Sequence, residues 1–170
     1  MIRTDRLELV PLDAGQMEAL LDGGSLPFAV PADWPDEHDA RFLRLRIGQL
    51  QEQPERLAWP VCAIVREGEM VGHIGFHGPP GINARRAPDA VEVGYTVFPE
   101  HRRQGIATEA VRALLEHTYA QGVGRVIASV SPENEPSLAL VRRLGFVEVG
   151  RHWDDEDGEE LEFELVSPPG

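Results

Sequence analysis

Between Ile106 and Tyr119 the apolar positions Ile106, Ala107, Ala110, Val111, Leu114, Leu115, Thr118 and Tyr119 recur at steps of one and four, while Glu109, Arg112 and Glu116 point elsewhere. That spacing gathers them on one stripe of an amphipathic helix, which Gly122 ends. Before it, Val91-Glu92-Val93-Gly94-Tyr95-Thr96-Val97 reads as a strand, with Val91, Val93, Tyr95 and Val97 on one face and Glu92, Gly94 and Thr96 on the other. After it, Arg125-Val126-Ile127-Ala128-Ser129-Val130 predicts a second apolar strand. Ser131-Pro132-Glu133-Asn134-Glu135-Pro136-Ser137 then leads into a short helix closing at Leu144-Gly145-Phe146.

The remaining segments follow from the same two periods and from turn residues. Arg6 to Leu12 predicts a strand and Ala14 to Leu21 a short helix, stopped by Asp22-Gly23-Gly24. Pro27, Pro31 and Pro35 make an irregular loop before a helix over 39–53. Trp59 to Val65 and Met70 to His77 predict a hairpin around Arg66-Glu67-Gly68-Glu69. Pro79 to Pro88 is a second loop. Val147 to His152 and Glu160 to Val166 form a last hairpin around the acidic turn Asp154-Asp155-Glu156-Asp157-Gly158. Strands and helices both occur, with no internal repeat and no low-complexity linker, so the expectation is one mixed α/β domain over residues 1–170.

The junction between strand and long helix carries the first chemical signal. Arg102-Arg103-Gln104-Gly105-Ile106-Ala107 places glycine where backbone must come close to a ligand, directly before a helix N-terminus with free N–H groups and partial positive charge. An R-x-x-G-x-A turn of this kind is built to converge amides on a pyrophosphate. The alternative is an ordinary strand-to-helix connection with solvated arginines.

Composition then removes several function classes. All sixteen basic residues are arginine, which excludes a P-loop lysine and a Schiff-base lysine. With 29 acidic residues and a net charge of −13, nucleic acid is not an expected partner, whereas cationic amines would be attracted. Cys62 is the single cysteine, so no internal disulfide forms. The N-terminus has no apolar signal region and no run reaches membrane-spanning length, which leads to an expected cytoplasmic location without membrane attachment. His73 and His77 do not suggest one metal ion, because four residues along a strand separate them by ~13 Å. No metal is expected, and the G-x-G-x-x-G and G-x-S-x-G signatures are missing.

Taken together, the turn, the following helix and strand, and Asn134, Ser137, Leu144, Gly145 and Phe146 resemble the GNAT superfamily of acyl-CoA-dependent N-acetyltransferases. The opening Thr4-Asp5-Arg6-Leu7-Glu8-Leu9-Val10-Pro11-Leu12 looks like that of the ribosomal-protein N-terminal acetyltransferase (RimJ/RimL-like) branch. The resemblance is strong from Val91 to Phe146 and weak between Asp13 and Leu57. It implies a mixed, mostly antiparallel sheet with splayed central strands flanked by helices. It also implies acetyl-CoA as co-substrate, direct attack by an amine in a ternary complex, and a protein N-terminus or a small amine as acceptor. The implied coenzyme site comprises Val97 at the strand end, the turn residues Arg102, Arg103, Gln104, Gly105, Ile106, Ala107 and Thr108, and Asn134 against the pantetheine arm. A monomer or a homodimer would serve.

Two catalytic candidates follow. A carboxylate on a covered central strand has little room to be idle, and family members often carry a glutamate near this position, so Glu92 is the candidate general base. Its other reading is a strand-end glutamate paired with an arginine. By resemblance, Ser137 is the candidate proton donor to the leaving thiolate. The tyrosine that many members place four residues later is Val141 here, which leaves Ser137, Tyr95 or solvent. For Asn134 to Ser137 a simple helix start is equally readable. The Val141 departure also motivates the alternative of a catalytically weak or inactive acyl-CoA-binding regulatory or scaffold module. The acidic run from Asp154 to Glu160 is a candidate steering surface for a cationic acceptor or a solvated turn.

Overall fold

The computed structural model describes residues 1–167 and has eight strands and four α-helices among them. These are β1 (Ile2–Arg3), β2 (Glu8–Pro11), α1 (Ala14–Asp22), α2 (Glu37–Glu52), β3 (Val61–Arg66), β4 (Glu69–Phe76), β5 (Ala90–Val97), α3 (Ile106–Ala120), β6 (Arg125–Val130), α4 (Glu135–Arg143), β7 (Val147–Asp154) and β8 (Gly158–Val166). They form the expected mixed α/β architecture. The chain divides into two compact units, one holding Met1–Gly75 and Tyr95–Ala110, the other Phe76–Gly94 and Val111 onward. The elements β4, β5 and α3 therefore each contribute residues to both.

In the first unit β1, β2, β3 and β4 follow one another as antiparallel neighbours. The expected strand from Arg6 starts only at Glu8, because Thr4 to Leu7 close a turn: the Thr4 amide donates to the Leu7 carbonyl at 2.9 Å and the Leu7 amide to Thr4 Oγ1 at 2.9 Å. Asp13 and Gln16 cap α1 reciprocally, which satisfies two amides that no helical carbonyl reaches. The second helix begins at Glu37 rather than Asp39, since the Asp36 carboxylate accepts from the Asp39 amide at 2.8 Å and so caps the helix two residues earlier. Leu12, Met17, Leu20, Leu43, Val61 and Met70 fill the core of this unit. The β3–β4 turn is as expected, with Glu67 and Gly68 both at positive φ, the conformation a two-residue hairpin requires.

In the second unit the strands neighbour in the order β5, β6, β8, β7. The β5–β6 ladder is parallel, pairing Glu92 with Ile127, while β6–β8 and β7–β8 are antiparallel. Helix α4 turns Leu138, Leu140 and Val141 inward and lies against β6. The last hairpin is longer than expected, because pairing continues through Trp153 to Asp154 and resumes at Gly158.

Candidate active site

The strand-to-helix turn is built by backbone geometry within the first unit. Gly105 has φ +75° and Arg103 φ +61°, two left-handed residues within three positions. Such a backbone costs a non-glycine residue roughly 1–2 kcal/mol, so Gly105 answers a real requirement. The Glu109 amide donates to the Gly105 carbonyl at 3.1 Å. The amides of Ile106 and Ala107 come before that first helical bond, at the positive end of α3. Arg102 through Gly105 are exposed, Ile106 is buried, and Ala107 and Thr108 are half-buried. The Arg102 Nε donates to the Val97 carbonyl at 2.9 Å, tying the turn to the strand end.

A brace that the sequence does not announce holds this turn. Arg6 donates from Nη1 to the Gln104 carbonyl at 3.0 Å and from Nε to Glu109 Oε2 at 2.7 Å. Thr4 Oγ1 donates to the other oxygen of Glu109 at 2.5 Å. Desolvation is the largest single influence on the Glu109 carboxyl and acts to raise it, but the hydrogen bonds from Thr4 and Arg6 together hold it below its ordinary range. Arg66 adds a 2.8 Å bond to Gln104 Oε1. The residues thus fit a pyrophosphate: a glycine where a side chain would obstruct, amides at a helix start, and Arg6, Arg102 and Arg103 nearby.

The carboxylate candidate Glu92 lies in the second unit. Glu92 is 2% exposed. Its Oε1 accepts from Ser129 Oγ at 2.6 Å, its Oε2 from the Ala84 amide at 2.6 Å, and His77 Nδ1 stands 3.7 Å from Oε1. These partners include no arginine, which departs from the ion-pair reading. A loop presents Ala84 because its neighbours are pinned. Asn83 Nδ2 donates to the carbonyls of Ala87 and Ala90, and Arg85 Nη1 donates to Glu162 Oε2 at 2.7 Å and to the Val149 carbonyl at 3.2 Å.

The same unit supplies further ionisable side chains. His152 sits between two carboxylates, with Nδ1 3.1 Å from Glu162 Oε1 and Nε2 3.1 Å from Glu160 Oε2. Burial pushes the Glu160 carboxyl above its ordinary range; Asp157, Asp154 and Glu92 add to that rise and His152 opposes it. Asp154 moves the other way, because its carboxylate accepts the Asp157 and Glu156 amides at 2.9 and 2.8 Å.

The second family pattern also falls in this unit. Asn134 is the N-cap of α4, accepting from the Ser137 amide at 3.2 Å, so the helix-start reading is realised. Ser137 is half-buried at the first turn, and Val141 is a core residue with 1% exposure. His73, in the first unit, stands 3.4 Å from Asp39 and packs near Phe42 and Trp34, a structural role. Arg6, His77, Arg85, Ser129, His152 and Glu162 belong to these clusters without any sequence signal, since each meets its partners only through tertiary structure.

Comparison with known proteins shows the family. The acetyltransferase (GNAT) domain family matches residues 6–147. The chain is 32% identical over 133 residues to a phosphinothricin N-acetyltransferase of Streptomyces viridochromogenes, covering 72% of this chain and 70% of that protein. In several other curated relatives the match spans only about half of their length. An acetyltransferase of the same family from Bordetella pertussis superposes with a TM-score of 0.72 at 26% identity, covering 97% of this chain and 98% of that one. The fold is shared with RimL, a ribosomal L7/L12 α-N-protein acetyltransferase solved with coenzyme A, at a TM-score of 0.70 and 22% identity over 96% of each chain. Other matches also include ribosomal-protein acetyltransferases. The chain belongs to the GNAT family of N-acetyltransferases, enzymes that move an acetyl group from acetyl-CoA.

Proposed function

We propose that residues 1–170 work as one acetyltransferase domain that acetylates a primary amine, with Glu92 as general base and the Arg102 to Thr108 turn as the coenzyme pyrophosphate site. The carrying observation is the state of Glu92: a carboxylate 2% exposed, oriented by one hydroxyl and one amide. An unprotonated amine is needed for attack on a thioester. At pH 7 an α-amine with pKa about 7.7–8 costs ~1–1.4 kcal/mol to deprotonate and a lysine-like amine ~4.6 kcal/mol. A fixed carboxylate that accepts the proton removes that burden from solvent.

Acetyl-CoA supplies the activated acyl thioester, and the protein's part is to bind, orient and move protons. In this reading Val97, Arg102, Arg103, Gln104, Gly105, Ile106, Ala107, Thr108 and Asn134 contact the coenzyme, and Ser137 protonates the departing thiolate directly or through water. The amine attacks without an acyl-enzyme. The acceptor is a protein N-terminus or a small amine; the named activities of RimL and of the phosphinothricin relative represent these two classes. The expected setting is the cytoplasm. Among the described residues no helix is long and apolar enough to cross a membrane. Burial pushes the Cys62 thiol up to about 12, which leaves it unreactive.

The test is acetyl-CoA-dependent thiol release with three acceptors: a peptide with a free α-amine, phosphinothricin and a polyamine. Turnover with any of them supports the reading. Tight coenzyme A binding without turnover on any amine would instead favour a coenzyme-binding regulatory module, the outcome that the Val141 departure anticipates.

A further inference from the structure

We infer that His77 is the exit for the proton that Glu92 collects, a role resting on the reading of Glu92 as base. A buried base must be emptied once per turnover, and Glu92 itself has little contact with bulk solvent. Its side chain is 3% exposed, Oε1 is engaged by Ser129 and Oε2 by the Ala84 amide. The His77 side chain, by contrast, is 52% exposed while its Nδ1 lies 3.7 Å from Glu92 Oε1. The imidazole therefore turns Nδ1 toward the base while its side chain is about half open to solvent.

Three further features fit this position. The two residues are fixed to each other through the backbone, where the His77 amide donates to the Glu92 carbonyl at 2.9 Å. The ring lies over Gly94, where an added Cβ would stand 3.3 Å from Nε2. Glu92 from β5 stands beside the ring, and His77 is among the groups that lower the Asp154 carboxyl on β7, after the amides of Asp157 and Glu156.

The proton balance is complete without a co-reactant. An N–H bond of the acceptor ammonium breaks as an O–H bond forms on Glu92. That O–H bond breaks as an N–H bond forms at His77 Nδ1, and Nε2 releases its own proton to water. The separation of 3.7 Å exceeds a hydrogen bond, so a small ring movement or one water completes the transfer. Exchange with solvent restores the starting tautomer. His77 touches no reacting atom of the substrate in this scheme and acts through Glu92.

The test uses the full chain with His77→Gln and His77→Asn, both checked for an unchanged melting temperature. With a free-α-amine peptide as acceptor, kcat should fall about tenfold or more with KM unchanged, and added imidazole should restore it in proportion to its concentration. Imidazole should leave the wild type and Glu92→Gln unaffected. A fall without rescue means a packing role and overturns the relay. Wild-type kcat in both variants overturns the relay and leaves Glu92 as base, whereas full activity in Glu92→Gln removes the base and the relay together. Independently of any acceptor, the His77 ring resonances in histidine-labelled protein should move on Glu92→Gln; unmoved resonances overturn the contact.

Discussion

The proposed coenzyme turn of the first unit and the carboxylate cluster of the second are built by opposite means. The turn is a run of adjacent residues whose work is done by backbone: amides at the start of α3 and a glycine at φ +75°. The cluster is made of side chains and one amide from the loop after β4 and from β5, β6, β7 and β8, meeting around Glu92. Backbone sites tolerate exchange of their exposed side chains but not of the residue that permits the conformation. Side-chain sites fail through single functional groups. The difference predicts that damage to the turn appears in coenzyme affinity and damage to the Glu92 cluster in turnover.

The largest effect should come from Glu92→Gln, which keeps shape and removes the proposed base. We expect kcat to fall by about 10²–10⁴ at neutral pH, with partial recovery as pH rises and the amine deprotonates unaided. A pH-rate profile superimposable on the wild type would break the comparison at its strongest point.

Next comes Ser129→Ala, which removes the 2.6 Å hydrogen bond to Glu92 Oε1. Hydrogen bonds to charged groups are worth about 1.5–3 kcal/mol, so kcat should drop about tenfold or more while coenzyme affinity is unchanged. Equal losses in kcat and in coenzyme affinity would show that the second unit is not specialised.

A smaller effect, of opposite kind, is expected from Arg6→Ala. It deletes the ties to Glu109 and Gln104 and loosens the turn. Coenzyme A binding should weaken by a few fold, since one hydrogen bond contributes a net of about 0.5–1.5 kcal/mol. Calorimetry decides this, and a change confined to kcat would contradict it.

These clusters are unequally legible in the chain. Arg102 to Ala107 can be read directly because residues that cooperate there are neighbours, and a glycine before an amphipathic helix has a specific physical use. Glu92 is readable as a candidate from strand period and its place before the turn. Its partners are not, since Ser129 belongs to another strand, Ala84 contributes only an amide, and the Pro79 to Pro88 segment carries no periodicity. Arg6 is visible only as part of an opening strand, where the Thr4 to Leu7 turn in fact bends the chain so that it reaches Glu109. Helix starts at Asp36 and Asp13 follow capping rules, yet the prolines before Asp36 mask the first residues of α2.

The smallest effect concerns stability and lies in the first unit. The neighbouring His73 imidazole is the main influence lowering the Asp39 carboxyl, from an ordinary value of 3.8. Its contribution is therefore fully present above that unfolded value and is lost as pH falls through the lower folded one. Asp39→Asn should cost about 1 kcal/mol at neutral pH, roughly 2–4 °C in Tm. The gap to the wild type should close below about pH 4. A gap that widens in acid would reverse the sign of this coupling.

The central claim is that coenzyme binding belongs to the turn and proton removal to Glu92. Its most direct test is the Kd for coenzyme A, by calorimetry, of folded Gly105→Glu beside folded Glu92→Gln. A side chain at Gly105 must adopt φ +75° and crowd the turn with negative charge, so affinity should fall at least about tenfold, while Glu92→Gln binds like the wild type. Unchanged affinity in Gly105→Glu, or a comparable loss in Glu92→Gln, would contradict the account.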